Sequence, residues 1–215
     1  MKYQAIFFDM DGTVSDTLKD ITETVNHTMR HFGLRTYAPE EIKPLLGNGA
    51  RYLLSSLIPE GPPGPDELLS VYLPYYAAHA GDDSPPYDGI LPMLKEMKAR
   101  GIPTAIISNK PDSAVQPVAA KCFSGLIDLA VGEKEGIRRK PAPDMLIAAA
   151  DSIGVELGSC LYVGDSEVDI DTARNAGIDC VSVSWGFRSR EQLIQAGASV
   201  IIDRPEELSA LLWQQ

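Results

Sequence analysis

The chain opens with a short apolar run that ends in two aspartates. Residues 5–8 are apolar at every position, which is typical of a strand buried on both faces of a parallel sheet. Asp9 and Asp11 follow it, and Gly12 then interrupts the pattern. Taken alone, the pair could equally mark a turn. If the strand exists, both carboxylates lie at its carboxyl end, where open α/β sheets bind their ligands.

The following segment, residues 16–83, has helical periodicity and no convincing strand. Apolar side chains recur at three- and four-residue spacing over 16–32, and further helices are predicted over 39–46, after Gly49 and over 66–79. Breaker-rich stretches at 60–65 and 81–86 punctuate the segment.

Beyond residue 86 the pattern alternates between strand and helix. Strands are predicted over 104–107, 127–131, 160–163, 180–184 and 200–202, with helices over 91–100, 111–122, 142–153, 168–176 and 205–213. This alternation is typical of a doubly wound parallel sheet with right-handed crossovers. We therefore predict an α/β, Rossmann-like core made of residues 1–15 and 84–215, with an α-helical segment of residues 16–83 inserted into it.

Composition narrows the possible partners and location. The 215 residues carry a formal net charge of −11, which argues against nucleic acid or an anionic membrane surface as a partner. A small anionic substrate stays possible, because a lysine or bound metal can reverse the local field. The three cysteines, Cys122, Cys160 and Cys180, form no CxxC pair, which favours buried thiols. No apolar run approaches the roughly 20 residues that span a bilayer. We expect a cytoplasmic protein.

Three weaker patterns are set aside. His27 and His31 have a possible metal spacing, but no glutamate or third ligand accompanies them. Gly47-x-Gly49 resembles the start of a dinucleotide fingerprint, but its sixth position is Tyr52. The acidic run from Asp165 lacks the glycine that a calcium-binding loop needs at its sixth position.

Four short motifs stand at predicted strand ends or just before a helix. They are Asp9-Met-Asp11-Gly12-Thr13, Ser108-Asn109, Lys140 ahead of Pro141, and Gly164-Asp165 with Asp169 four residues later. In this order they resemble the four motifs of the haloacid dehalogenase-like hydrolases, and the resemblance covers nearly the full length. Within that family the chain is most similar to phosphoglycolate phosphatases with a helical cap. The shared stretches are residues 47–51, 108–111, 139–143, 163–166 and 185–189.

The resemblance implies a two-step phosphatase reaction. Asp9 would attack phosphorus and form an aspartyl-phosphate, while Asp11 would protonate the leaving oxygen and later deprotonate water. Ser108 and the amide of Asn109 would hold phosphate oxygens, and Lys140 would neutralise their charge.

The resemblance also implies a loop and a metal around these groups. Gly12 and Thr13 would complete the phosphate-binding loop. Asp165, the Asp9 side chain and the Asp11 carbonyl would hold Mg²⁺, with Asp169 binding or orienting the metal.

The charges support a cation independently of the resemblance. Asp9, Asp11, Asp165 and Asp169 would gather four carboxylates around the one lysine Lys140, and crowded like charges are unstable without a cation. Oxygen ligands without His or Cys select a hard ion, most simply Mg²⁺.

The resemblance also implies that the inserted segment, residues 16–83, is a helical cap domain that closes over the site and selects the substrate. Its turn at Asn48 and Gly49 offers backbone N–H groups, and Arg51 offers a bidentate fork to a carboxylate. The leading candidate is 2-phosphoglycolate, a small phosphorylated metabolite. The alternatives are a pyrophosphatase, or a sugar-phosphate phosphatase or β-phosphoglucomutase-like enzyme of the same fold, and more remotely a catalytically silent regulatory module. The sequence does not distinguish a monomer from a homodimer.

Overall fold

A computed structural model describes residues 2–58 and 61–213. Within them, six parallel strands form one sheet. The strands are β1 (Ala5–Phe8), β2 (Thr104–Pro111), β3 (Leu129–Glu133), β4 (Cys160–Gly164), β5 (Asp179–Val183) and β6 (Ile201–Ile202). Their order across the sheet is β3-β2-β1-β4-β5-β6, so the first strand lies in the middle. The predicted doubly wound α/β core is confirmed.

Ten α-helices surround or extend this sheet within the described ranges. They are α1 (Leu18–His31), α2 (Pro39–Ile42), α3 (Gly49–Leu57), α4 (Pro65–His79), α5 (Ile90–Ala99), α6 (Asp112–Phe123), α7 (Asp144–Ile153), α8 (Glu167–Ala176), α9 (Arg190–Gln195) and α10 (Pro205–Trp213). Single 3-10 turns cover Lys43–Leu45 and Leu157–Ser159. None of the helices in these ranges combines the length and apolar character that a bilayer crossing requires.

The central strand is buried on both faces, as its unbroken apolar run predicts. Ile6 and Phe8 belong to the larger hydrophobic cluster, and Ala5 and Phe7 to the smaller cluster that includes residues of α7. Both phenylalanines are almost fully buried, and burying an aromatic side chain of this size stabilises the fold by about 1.5–3 kcal/mol. The sheet position of Asp9 is therefore fixed by strong packing immediately before it.

The observed elements differ from the predicted ones at several ends. Strand β2 continues to Pro111, past the predicted end at 107. Helix α7 begins at Asp144, so Pro141 does not open it and Lys140 lies in the preceding loop. The sequence interpretation missed α9, although Ser189 accepts a hydrogen bond from the Gln192 N–H at its start, a capping pattern that is readable from sequence.

Helices α1 to α4 form the segment between β1 and the rest of the core. Its two connections run side by side, since the Asp16 N–H donates to the Pro85 carbonyl at 2.9 Å. Asp20 on α1 accepts hydrogen bonds from the N–H groups of Gly81 and Asp83, both at 2.9 Å. The returning connection is thus held against the outgoing one, which is the arrangement expected of an inserted cap at 16–83.

Candidate active site

Three adjacent strands deliver polar side chains to one edge of the sheet. Strand β1 pairs with β2 on one side and β4 on the other, all in parallel. Asp9 follows β1, Ser108 lies near the end of β2, and Asp165 follows β4. All three residues are buried. The topology therefore brings together motifs that are far apart in the sequence.

Lys140 lies at the centre of this cluster. Its Nζ is 3.0 Å from Asp9 Oδ1, 2.8 Å from Asp169 Oδ1 and 2.8 Å from the Tyr162 hydroxyl. Burial alone would lower the pKa of Lys140, but the carboxylates of Asp169 and Asp9 outweigh it and raise the pKa. The lysine is therefore held as a cation beside the predicted nucleophile.

Asp169 accepts hydrogen bonds on both of its carboxylate oxygens. Oδ1 receives Lys140 and the Tyr162 hydroxyl, and Oδ2 receives the N–H and hydroxyl of Ser166 at 3.1 and 2.6 Å. A Cβ at Gly164 would lie 2.2 Å from Asp169 Cγ, so this close packing requires glycine there. These contacts hold Asp169 against Lys140, a partner that the sequence interpretation did not name, since it left Asp169 either to bind or to orient the metal.

The acidic cluster can accommodate a cation. Carboxylate oxygens of Asp9, Asp165 and Asp169 lie within 4.8 Å of one another. Burial, followed by the charges of Asp169 and Asp11, raises the pKa of Asp9 to about 7. Burial and the charges of Asp169 and Asp9 also raise the pKa of Asp165 well above its usual range. A bound cation would favour the ionised forms, and a buried site with only oxygen donors suits a hard cation.

Asp11 departs from the predicted arrangement. Its Oδ1 lies 2.7 Å from the Nζ of Lys110 and accepts a 2.6 Å hydrogen bond from Thr17. The expectation of four carboxylates around a single lysine is therefore wrong: Asp11 has a lysine of its own. Lys110 belongs to β2 and its side chain is only 1% exposed.

Gly12 and Thr13 shape the loop after β1, and their backbone N–H groups are already used in hydrogen bonds within that loop. The Gly12 N–H donates to the Ser15 carbonyl at 3.0 Å, and the Thr13 N–H donates to the Met10 carbonyl at 3.3 Å. A Cβ on Gly12 would lie 2.3 Å from Asp165 Oδ2. Both residues were predicted to bind phosphate, but these contacts instead support close packing of the loop around Asp165.

Asn109 joins the core to the cap through its side chain. Its Nδ2 donates to the carbonyls of Gly47 and Lys140 at 3.0 and 2.9 Å, and its Oδ1 accepts from the Lys140 N–H at 2.9 Å. The side-chain amide is thus used to hold two loops, which leaves the backbone amide for the predicted phosphate contact. Ser108 lies beside it, and its hydroxyl accepts from the Lys110 N–H at 3.2 Å.

A small cavity of about 40 Å³ opens between cap and core. Core residues in its wall are Asp9, Asp11, Ser108, Asn109 and Lys110, and cap residues include Gly47, Gly49, Leu53, Tyr72 and Tyr76. The volume suffices for a few water molecules. Little free space is therefore left between the helical segment and the predicted catalytic groups.

Two of the three predicted cap residues lie outside this cavity wall. Arg51 forms an ion pair with Asp66, and its side chain is 52% exposed. Asn48 precedes α3 without a side-chain capping bond, whereas Gly49 does line the cavity. The Arg51 fork is thus directed at another cap helix, and its predicted contact with a substrate carboxylate has no support from this geometry.

Several site residues escaped the sequence interpretation. Lys110 directly follows the Ser108-Asn109 motif. A charged residue at the end of a buried strand is a sequence signal that could have identified it as a site residue. Tyr162 lies inside the apolar strand β4, where a side chain is expected to belong to the hydrophobic core. Arg188 pairs with Glu167 at 2.8 and 2.9 Å and donates to the Leu46 carbonyl at 2.8 Å, so it ties the core to the cap. That tertiary contact leaves no local pattern in the sequence.

The fold and the site define a class of hydrolase with a buried aspartate, a lysine and an acidic cluster at the edge of a parallel sheet. The chain belongs to the haloacid dehalogenase-like hydrolases, since the model of that family matches residues 6–183. The family predicted from the four motifs is therefore confirmed.

Two relatives and one solved structure show what the chain is similar to. A phosphoglycolate phosphatase of Xanthomonas campestris is 31% identical and covers 95% of this chain and 94% of its own length. An N-acetylmuramic acid 6-phosphate phosphatase of Pseudomonas aeruginosa is 28% identical over 99% of this chain and 96% of its own. A crystal structure from Lactobacillus delbrueckii, provisionally named a phosphoglycolate phosphatase, is 39% identical, covers all of both chains and gives a TM-score of 0.92.

Proposed function

We propose that the protein is a Mg²⁺-dependent phosphatase that hydrolyses a small phosphate monoester through an aspartyl-phosphate. The observation that supports this most directly is the position of Asp9, buried at the end of the central strand and 3.0 Å from Lys140 Nζ. A buried carboxylate beside a fixed cation is a suitable nucleophile for phosphorus, because the lysine also attracts the phosphate. Membership of the hydrolase family is consistent with this chemistry.

In the first step, an Asp9 oxygen forms a bond to phosphorus as the ester oxygen leaves. The Met10 N–H and Lys140 both contact Asp9 Oδ1, at 2.7 and 3.0 Å, which fixes the carboxylate's orientation. Asp11 gives its proton to the departing alkoxide, so the alcohol leaves neutral. Lys140 stabilises charge on the equatorial phosphate oxygens, and Ser108 and the Asn109 backbone amide hold them.

In the second step, water replaces the enzyme on phosphorus. Asp11, now ionised, takes a proton from water while the water oxygen attacks the aspartyl-phosphate. The bond to Asp9 breaks, which returns the free carboxylate and releases inorganic phosphate. The closed cap limits access of other water.

Asp9, Asp165 and the Asp11 main-chain carbonyl are the groups that would hold Mg²⁺. When bound, the ion supplies positive charge against the phosphate and the crowded carboxylates. Asp169 would stabilise the site indirectly, since its carboxylate accepts hydrogen bonds from Lys140 Nζ and the Ser166 hydroxyl. This assignment uses only oxygen ligands, which a hard cation prefers.

The substrate we favour is 2-phosphoglycolate. Its support is the name of the Xanthomonas relative, with which the match covers nearly all of both chains. The relative from Pseudomonas acts on a sugar phosphate by its name, so that class is the alternative. We also propose the domain division predicted from the sequence. Residues 1–15 and 84–215 form the core, and residues 16–83 form the cap.

A substrate panel tests this proposal. Release of inorganic phosphate is measured with 2-phosphoglycolate, pyrophosphate, a hexose 6-phosphate, a nucleotide and p-nitrophenyl phosphate, each with Mg²⁺. We expect the highest kcat/KM for 2-phosphoglycolate. A clear preference for pyrophosphate or the hexose phosphate would overturn the substrate and leave the phosphatase chemistry standing. If no phosphate is released from any of these substrates, the proposed phosphatase activity is contradicted.

A further inference from the structure

Lys110 is a buried cation that the mechanism above does not use. It lies near the end of β2 and is 4% exposed overall. Among the described residues that form the cavity wall, it is the one with a positively charged side chain. A desolvated ammonium in a substrate cavity is expensive unless it meets anionic groups. Its presence there therefore calls for a role.

Groups from both the core and the cap hold Lys110 in place. Its Nζ lies 2.7 Å from Asp11 Oδ1 and donates to the hydroxyl of Tyr76 on cap helix α4. The same Nζ lies 4.5 Å from the centre of the Tyr76 ring. An ammonium carries three N–H donors, and these are its two polar partners in the described part of the chain. One donor is left for a ligand.

The neighbourhood of Asp11 determines which part of a substrate Lys110 can reach. On the proposed mechanism, Asp11 contacts the ester oxygen that leaves. In a 2-phosphoryloxy acid, one carbon separates that oxygen from the carboxylate carbon, so a carboxylate oxygen lies about 3 Å from the ester oxygen, from ordinary bond lengths of about 1.5 Å. A cation 2.7 Å from Asp11 can therefore reach that carboxylate when the substrate's carboxyl group is turned toward Lys110.

We infer that Lys110 binds the substrate's carboxylate and makes the enzyme selective for small phosphoryloxy acids. Tyr76 orients the ammonium from the cap, so the carboxylate is recognised where cap and core meet. This assignment replaces Arg51, whose side chain pairs with Asp66 outside the cavity wall. The inference rests on the proposed function, because it presumes that Asp11 contacts the ester oxygen.

The test compares two substrates that differ at the carboxylate. The first is 2-phosphoglycolate, and the second is 2-hydroxyethyl phosphate, in which a hydroxymethyl group replaces it. The protein is measured as wild type, as Lys110→Met and as the matched control Lys95→Met, an exposed lysine on α5. A charge-assisted contact is worth roughly 1.5–3 kcal/mol, so kcat/KM of Lys110→Met should fall about 10- to 100-fold for phosphoglycolate. The loss on hydroxyethyl phosphate should be at least about tenfold smaller, because that ester feels only the broken Lys110–Asp11 pair. Lys95→Met should match wild type on both.

Other results separate the inference from the proposed function. Equal losses on both substrates in Lys110→Met would mean that Lys110 acts only through Asp11, and would overturn carboxylate recognition. A wild-type enzyme that hydrolyses both esters equally well would also overturn it, with the phosphatase intact. A wild-type enzyme that hydrolyses neither ester would overturn the inference together with the substrate, and only failure on the whole substrate panel would contradict the phosphatase function. If Lys110→Met does not fold, Lys110→Gln, which keeps donors for Asp11 and Tyr76, takes its place with the same expectations.

Discussion

Lys140 and Asp169 are 29 residues apart in the chain, yet the lysine Nζ lies 2.8 Å from the aspartate Oδ1 in the core of the site. Asp169 in turn accepts three further hydrogen bonds, from Tyr162 and from the N–H and hydroxyl of Ser166. A carboxylate with four donors around it is better suited to fixing a lysine than to ligating a metal. These contacts support a positioning role for Asp169, which holds the lysine that we propose binds phosphate.

Replacing Asp169 by Asn should separate these two roles. The change removes the charge that faces Lys140, and breaking a buried pair costs about 3–5 kcal/mol. We expect a cost near the lower end of this range, because Lys140 still has its ion pair with Asp9. Expected results are a kcat reduced by roughly 100-fold, as for loss of one electrostatic group, and a Mg²⁺ requirement within a few-fold of wild type. A large rise in the Mg²⁺ concentration needed for half-maximal activity would instead make Asp169 a metal ligand.

Asp9→Asn should abolish turnover of every phosphate ester while the fold is retained. The amide cannot form the acyl phosphate, so the first covalent step is lost. Activity is followed by phosphate release, and folding by circular dichroism. Residual activity near the wild-type level would remove Asp9 from the nucleophile role.

Hydrolysis should require a divalent cation and prefer Mg²⁺ to Ca²⁺. Mg²⁺ imposes a compact octahedral shell, whereas Ca²⁺ takes longer bonds and more ligands, which would misplace Asp9 relative to phosphorus. Phosphate release is measured after chelation and again after each ion is added back. Full activity in the chelated enzyme would refute the metal assignment.

The metal-free protein should become less stable as the pH rises from about 4 to 7. The folded-state pKa of Asp9 is raised from 3.8 to about 7, so in this window the folded state holds a proton that the unfolded state has lost. The free energy of unfolding then falls with pH, by at most about 1.4 kcal/mol per unit for one such group.

Thermal unfolding in chelator at pH 5 and pH 7.5 measures this effect. Other acids titrate too, so the informative quantity is the Tm of wild type minus that of Asp9→Asn at each pH. This difference should become more negative at pH 7.5, and Mg²⁺ should reverse the trend. A difference that does not move with pH would show that Asp9 is not destabilised by its burial.

Arg51→Ala should leave kcat/KM for 2-phosphoglycolate within about threefold of wild type. The side chain is half exposed and paired with Asp66, and surface pairs contribute only about 0–1 kcal/mol. The comparison variant is Lys110→Met, which should show the loss that the sequence first attributed to Arg51. A tenfold or greater fall in Arg51→Ala would restore the arginine as a substrate contact.

The sequence predicts the fold well because its signals are local. The apolar run of β1, the alternation beyond residue 86 and the helical insertion each depend on nearby residues, and the four motifs lie at strand ends. The hydrogen bonds and ion pairs within the site are less predictable, because they depend on contacts between distant loops. Neither the partner of Asp11, which is Lys110, nor the outward direction of Arg51 has a local signature.

Asn109 has one further consequence. Its single side-chain amide bonds both the Gly47 carbonyl of the cap and the backbone of Lys140. Any separation of the helical segment from the core would break the first bond and leave the Asn109 amide held by the Lys140 backbone alone. On the proposed mechanism, Asn109 would therefore act as a latch that joins the Lys140 loop to the helical segment only while the two are in contact. If an aspartyl-phosphate forms on Asp9 as proposed, it would be shielded from bulk water while this latch is engaged.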